Sequence, residues 1–172
     1  KQNNLTTKVN IYSPELDTDL VYSLVNFTYP KEFESIKHII LEIVKNGFYK
    51  DEQFFIEVFL GDAREYILKF EKMKFDIVYQ DAFSPSSNPM LWTKEYFAAI
   101  KRIIKQDAVL TTYSIALATR LALYENGFNI YINSGEDYRD ATLASPSKLD
   151  GFKIVDMPHK ISCNPDVKSL MD

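Results

Sequence analysis

The feature that most constrains this chain is alternation. Short apolar extended runs at 8–12, 53–60, 75–80, 108–113 and 128–132 are separated by stretches at 31–46, 63–70, 94–104 and 115–125 whose apolar residues recur every three or four positions. Strands alternating with helices predict an α/β fold with a doubly wound, mostly parallel sheet, because parallel neighbours need a crossover long enough to hold a helix. Punctuation residues set the boundaries. Ser13-Pro14 closes the first run, since proline pushes its predecessor out of the helical region. Phe33, Ile36, Ile39, Ile40, Ile43 and Val44 share one helical face, and Gly47 stands where a C-terminal cap belongs. Thr93 can cap the helix 94–104, with Phe97, Ile100, Ile103 and Ile104 inward and Lys94, Lys101, Arg102 and Lys105 outward. Residues 75–80 are mostly apolar on both parities, as suits a strand covered on both faces.

Composition narrows the class. The 172 residues are 46% hydrophobic and 26% charged, with five Gly, seven Pro and no linker or repeat, so residues 1–172 read as one continuous domain. No apolar run approaches the roughly 20 residues that cross a bilayer, so no membrane partner is expected. The single cysteine, Cys163, forms neither an internal disulfide nor a Cys-rich zinc site, and a reducing cytoplasm is the expected location. Glu34, His38 and Glu42 share a helix face, yet no further ligand cluster completes a site and no metal is expected. A net charge of −4 gives no overall footprint for nucleic acid, so such a partner would need a local patch.

In doubly wound sheets ligands bind where strands end and loops enter the next helix. Three such ends carry acids: Glu15 and Asp17, then Asp62, then Asp81. Glu15, three residues past its strand, could accept both hydroxyls of a ribose, or could simply cap the next helix. Asp17, further out, reads as a solvated or capping group. Asp62, in Gly61-Asp62-Ala63, could take an adenine amino group or cap the helix behind it. Asp81 opens the proline-framed loop Asp81-Ala-Phe-Ser-Pro-Ser-Ser-Asn-Pro89, where a carboxylate could meet an amine, or could stabilise the loop.

The stretch from Phe75 through Asp81-Ala-Phe-Ser-Pro85 and Asn88-Pro-Met-Leu-Trp-Thr93 to Phe97 resembles the methyltransferase domain of the MnmC family, which methylates the exocyclic amine of an aminomethyl-2-thiouridine at the tRNA wobble position. The resemblance continues through Val109-Leu-Thr-Thr-Tyr-Ser114 to about Ser145, and covers Gly61-Asp-Ala-Arg-Glu65 and, more loosely, Tyr12-Ser-Pro-Glu15. It implies a Rossmann-like class I methyltransferase fold and S-adenosylmethionine as cofactor. Glu15 would hold the ribose, Asp62 with Ala63 the adenine, and Asp81 would face the methyl group and the target amine. Phe83, Pro85, Asn88 and Trp92 would shape the substrate side. The tRNA partner also comes from the resemblance, with Lys94, Lys101, Arg102 and Arg120 as its candidate basic surface. The family's first strand and Gly-x-Gly-x-Gly turn have no counterpart in this sequence, so the chain is expected to be a partial domain. Polyamine aminopropyltransferases share the fold, but they set a second acid three residues after the first, where this chain has Ser84. A binding module that has lost its chemistry is the remaining alternative.

Overall fold

Why the first apolar run becomes a strand is visible in its pairing. In the computed structural model, which describes residues 7–137 and 139–172, β1 (Val9–Glu15) lies parallel to β3 (Phe54–Leu60) from Val9 opposite Phe54 to Glu15 opposite Leu60. Pro14 sits inside β1 rather than ending it. The strand has β3 as its one described neighbour, so proline's missing N–H interrupts no central ladder. A short strand that periodicity could not show, β2 (Phe48–Lys50), pairs antiparallel on the other side of β3. Two helices join these strands, α1 (Thr18–Ser23) and α2 (Lys37–Asn46). The helical segment expected over 31–46 begins as a 3-10 turn, Lys31–Ile36, because three-residue spacing fits that tighter winding as well as an α-helix. Gly47 ends α2 as expected: at φ 79° it adopts the left-handed conformation and donates its N–H to Ile43 O at 2.7 Å.

The contacts divide the chain at Tyr66, giving a first unit, Lys1–Tyr66, and a second, Ile67–Asp172. The first closes with the single-turn helix α3 (Ala63–Tyr66). The second holds β4 (Phe75–Tyr79), α4 (Lys94–Ile103), β5 (Ile104–Thr112), α5 (Leu117–Glu125), β6 (Asn129–Asn133), β7 (Ala141–Ser145), β8 (Lys153–Ile154) and α6 (Met157–Cys163). Its strands are ordered β4-β5-β7-β6-β8. The α/β alternation stands, but the expected mostly parallel pairing holds only for β1–β3 and β4–β5. The other described pairs are antiparallel: β2 on β3 in the first unit, and β5–β7, β6–β7 and β6–β8 in the second, where β7 returns against β6.

Thr93 caps α4 by accepting the Tyr96 N–H at 3.2 Å. The four residues expected to face inward, Phe97, Ile100, Ile103 and Ile104, are all buried. They join Trp92, Leu110, Leu123, Phe128, Ile130 and Ala144 in the core of this unit. β4 departs from expectation: Phe75 and Val78 pack on that core, while Ile77 and Tyr79 are 55% and 77% exposed, so it is covered on one face only. The C-terminal residues, which carry no sequence signal of their own, fold back so that Lys94 N–H donates to Leu170 O at 2.8 Å.

Candidate functional site

Parallel pairing brings two of the candidate acids to one sheet end. Gly61 N–H donates to Glu15 O at 2.9 Å, so Glu15 and Asp62 leave β1 and β3 side by side. Glu15 is the last residue of its strand, not three residues beyond it. Its Oε1 accepts the Asp17 N–H at 2.8 Å, and Asp17 in turn caps α1 by accepting the Leu20 N–H at 2.9 Å. Asp62 Oδ1 accepts the Arg64 N–H at 2.8 Å, and Ala63 opens α3 beside it. A local backbone hydrogen bond is therefore present at both acids, while the cap of α1 is Asp17 rather than Glu15. That bond uses one oxygen of each, and a carboxylate has about four lone-pair positions, so each keeps an acceptor for a ligand. Gly61 is required by the space: at φ 151°, an added Cβ would lie 2.8 Å from Phe59 Cε1. That ring cannot easily give way, because it stacks on Tyr66 with centroids 4.5 Å apart and planes 4° from parallel.

The loop after β4 is tied at several points. Gln80, buried at its entrance, takes Thr111 O through its backbone N–H at 2.9 Å and donates Nε2 to Leu91 O at 2.8 Å. Tyr113 Oη donates to Ala82 O at 2.8 Å. Trp92 Nε1 donates to Phe83 O at 2.7 Å. Ser84 O receives the N–H groups of Ser87 and Asn88 at 2.8 and 2.9 Å. Within this frame the Asp81 carboxylate is exposed and takes part in no hydrogen bond or ion pair among the described residues, so it does not serve as a cap. Phe83 is 81% exposed, while Pro85 and Asn88 are half-buried. Trp92 differs from the expectation of a substrate contact. At 1% exposure, with its N–H spent on Phe83 O, it holds the loop from beneath.

Sequence reasoning missed Gln80 and Tyr113 as supports of this loop. The polar run Thr111-Thr112-Tyr113-Ser114 at the end of β5 was the available signal. It also missed a buried polar group in which Thr142 Oγ1 donates to Ser114 O at 2.6 Å and accepts from Arg120 Nε at 2.9 Å. The expected basic surface is largely spent internally. Arg102 donates to Phe70 O and Ile67 O at 2.8 and 3.0 Å, and Lys94 pairs with Glu125 at 3.1 Å. Lys101 Nζ lies 4.9 Å from the Phe128 ring centroid, where burial holds its pKa below the usual lysine value. Lys105 pairs with Asp76 at 2.6 Å, and that hydrogen bond raises its pKa. His38 packs edge-on against Tyr49, with centroids 6.2 Å apart. Among the described residues no helix is long and apolar enough to cross a membrane.

Comparison with known proteins gives a consistent set of relatives. A family model described as S-adenosyl-L-methionine-dependent methyltransferase matches residues 31–146. An uncharacterized protein of Methanocaldococcus jannaschii is 38% identical over 103 residues, which is 58% of this chain and 29% of that protein. The tRNA 5-methylaminomethyl-2-thiouridine biosynthesis bifunctional protein MnmC of Burkholderia vietnamiensis is 42% identical over 69 residues, 40% of this chain and 10% of that one. The crystal structure of MNMC2 from Aquifex aeolicus matches with a TM-score of 0.79 at 28% identity, covering 99% of this chain and 54% of its own. A probable spermidine synthase from Corynebacterium glutamicum, with a TM-score of 0.56 at 12% identity, covers 96% of this chain and 72% of its own and shares the fold alone. The chain thus spans about half the length of the Aquifex structure and a smaller part of both sequence relatives.

Proposed function

Because this chain belongs to the S-adenosyl-L-methionine-dependent methyltransferase family and resembles MnmC proteins, we propose that it is part of an N-methyltransferase acting on the aminomethyl group of a wobble uridine in tRNA. The observation that carries this reading is the state of Asp81: an exposed carboxylate with no partner among the described residues, in a loop tied at Ala82, Phe83 and Leu91 by Tyr113, Trp92 and Gln80. We read both units, residues 1–172, as belonging to one methyltransferase domain.

The donor set suits the cofactor. Paired hydroxyls and an exocyclic amine are hydrogen-bond donors, and the strand ends of the first unit offer two carboxylates, each with an oxygen to spare. Glu15 would take the ribose and Asp62 the adenine, with Ala63 small enough to let the ring approach. When bound, S-adenosylmethionine supplies an activated methyl group. The chain's own task is then to orient the acceptor and manage its proton. An aliphatic amine is protonated near neutral pH and must lose a proton before its lone pair can attack. Asp81 would orient that amine and accept the proton, and Phe83 would lay its exposed ring against the uracil. Pro85 and Asn88 would fix the edge of the acceptor, and Trp92 would hold Phe83 in place. Such positioning lowers a barrier by holding the reacting groups together.

A diamine acceptor, as in aminopropyl transfer, lacks support in the loop. Ser84 stands at the position of the second acid and shares its hydroxyl with Ser86 and Ser87 at 2.8 and 3.3 Å. The test is transfer of labelled methyl by the full-length gene product to undermodified tRNA and, in parallel, to a diamine. Label recovered in a methylaminomethyl uridine nucleoside is the expected result. Label in neither acceptor, together with no binding of S-adenosylmethionine, would leave only a binding module with this fold.

A further inference from the structure

Arg120 is the one member of the expected basic surface that is not consumed by a carbonyl, a carboxylate or a ring. Its Nε donates to Thr142 Oγ1 at 2.9 Å, and Thr142, wholly buried, is itself fixed by donating to Ser114 O at 2.6 Å. The guanidinium is therefore anchored through one nitrogen. Among the described residues no hydrogen bond or ion pair takes its two terminal nitrogens. Burial lowers the pKa of Arg120, and the charge of Asp140 offsets this only in part. The cation is thus partly stripped of water without a bonded counter-ion, a situation an incoming anion improves.

Arg120 opens onto a cleft of about 210 Å³ lined by Ile115, Leu117, Arg120, Val155, Lys160 and Asn164. Lys160 brings a second positive charge from α6, and its ammonium makes no ion pair among the described residues. Asn164 is positioned by donating Nδ2 to Lys160 O at 2.8 Å. Among the described residues no acid lines the cleft, and Asp140 is the acid whose charge reaches Arg120. A guanidinium presenting two parallel N–H groups beside an exposed ammonium matches a phosphate, and the three aliphatic residues match the sugar or base carried with it.

The cleft also lies at the right end of the sheet. Its first lining residue, Ile115, follows β5 by three positions, and Tyr113 between them holds Ala82, the neighbour of Asp81. We propose that this cleft binds a phosphate group of the nucleic acid whose amine meets Asp81. The proposal rests on the tRNA reading above for its source of phosphate, and on Arg120, Lys160 and Thr142 for the site.

The test uses the full-length gene product, with Arg120→Gln/Lys160→Gln compared with the parent in binding undermodified tRNA, uridine 5′-monophosphate and inorganic phosphate across a salt series. The expected result is about tenfold weaker tRNA binding and a slope of log affinity against log salt reduced by about 1, the signature of one lost phosphate contact. Lys160→Gln alone, at an exposed position where folding is not at stake, should weaken binding in the same direction by about threefold. Loss of uridine 5′-monophosphate or inorganic phosphate binding with tRNA binding intact would support a phosphate site fed by a free nucleotide or ion, and would overturn the nucleic acid as its source. Equal binding of all three probes by parent and variants would overturn the site itself. A parent that binds tRNA through this cleft but transfers no methyl to it would count against the proposed reaction and leave the cleft supported.

Discussion

The two units treat the ends of their parallel strands in opposite ways. In the first, Glu15 and Asp62 each accept a backbone N–H two residues ahead, and the surrounding packing is thin. Its only buried apolar residues among those described are Val21, Tyr49 and Tyr66, and all seven residues of β3 are half-buried. In the second, a continuous core from Ile67 to Met157 backs a loop whose carbonyls are held by Gln80, Trp92 and Tyr113, while its acid is bound to nothing described. On the proposed reading, the contrast separates two ways of building a binding residue. One would let a carboxylate support its own turn and lend the remaining oxygen to a ligand. The other fixes everything around the carboxylate and leaves it whole. The second suits a group that must act on a reacting atom, since misplacement there costs rate directly, whereas the first suits a group that only has to hold.

The largest effect should come from the whole carboxylate. Asp81→Asn keeps the shape of an exposed side chain that supports no other group, so the fold should be unchanged. Methyl transfer is expected to drop by roughly 10²- to 10⁴-fold, the range of a positioned general base, with S-adenosylmethionine affinity within a few-fold of the parent. Single-turnover rates and cofactor titration measure both. Turnover within a few-fold of the parent would reduce Asp81 to a loop residue and erase the contrast. The next effect tests the packing side of the comparison. Phe97→Ala, at a position with 0% exposure, is expected to cost about 3–5 kcal/mol of unfolding free energy. Val58→Ala in half-buried β3 should cost about 1 kcal/mol. Urea melts that gave equal losses would show the first unit to be as firmly packed as the second.

A smaller effect distinguishes holding from capping. Asp62→Ala removes both the bond to Arg64 N–H and the free oxygen beside it. Loss of the cap should lower stability by about 1 kcal/mol, and loss of the ligand contact should weaken S-adenosylmethionine binding by about tenfold. Asp62→Asn keeps a capping oxygen and should restore stability more fully than affinity. Calorimetric titration in which both variants bind the cofactor like the parent would leave Asp62 as a helix cap and nothing more.

What could be read from the sequence is what depends on neighbours within one turn or one loop. Gly47, Thr93 and the inward face of α4 followed from local stereochemistry and spacing, and the acids stood out because strand ends are recognisable. The misses share a different cause. β2 has only three residues and no period, so its strand character exists through β3 alone. Trp92 looked like a recognition residue because its partner, Phe83 O, is nine positions away. Arg102 looked like a surface cation because the carbonyls that consume it are 32 and 35 positions distant. The phosphate cleft needed α6 to return to the start of α5, a closure carried by no motif.

The smallest effect probes the thin packing beneath Gly61 and Asp62. Tyr66 Oη donates to Glu57 Oε1 at 2.6 Å, and its ring stacks on Phe59. Burial first, and then the hydrogen bond and charge of Glu57, raise its pKa well above the ordinary tyrosine value. The folded chain therefore keeps a proton that the unfolded chain gives up near pH 10, so this contribution to stability is complete below that pH and is lost as pH rises through and beyond it. Urea midpoints measured from pH 8 to 11 should fall more steeply above pH 10 for the parent than for Tyr66→Phe, which keeps the stacking and removes the ionisation. Parallel curves would mean that the phenol ionises as freely in the folded chain as in the unfolded one. The first unit would then lack even the partial enclosure that Phe59 and Glu57 give Tyr66, and on the proposed reading its strand ends would depend on a bound ligand for order.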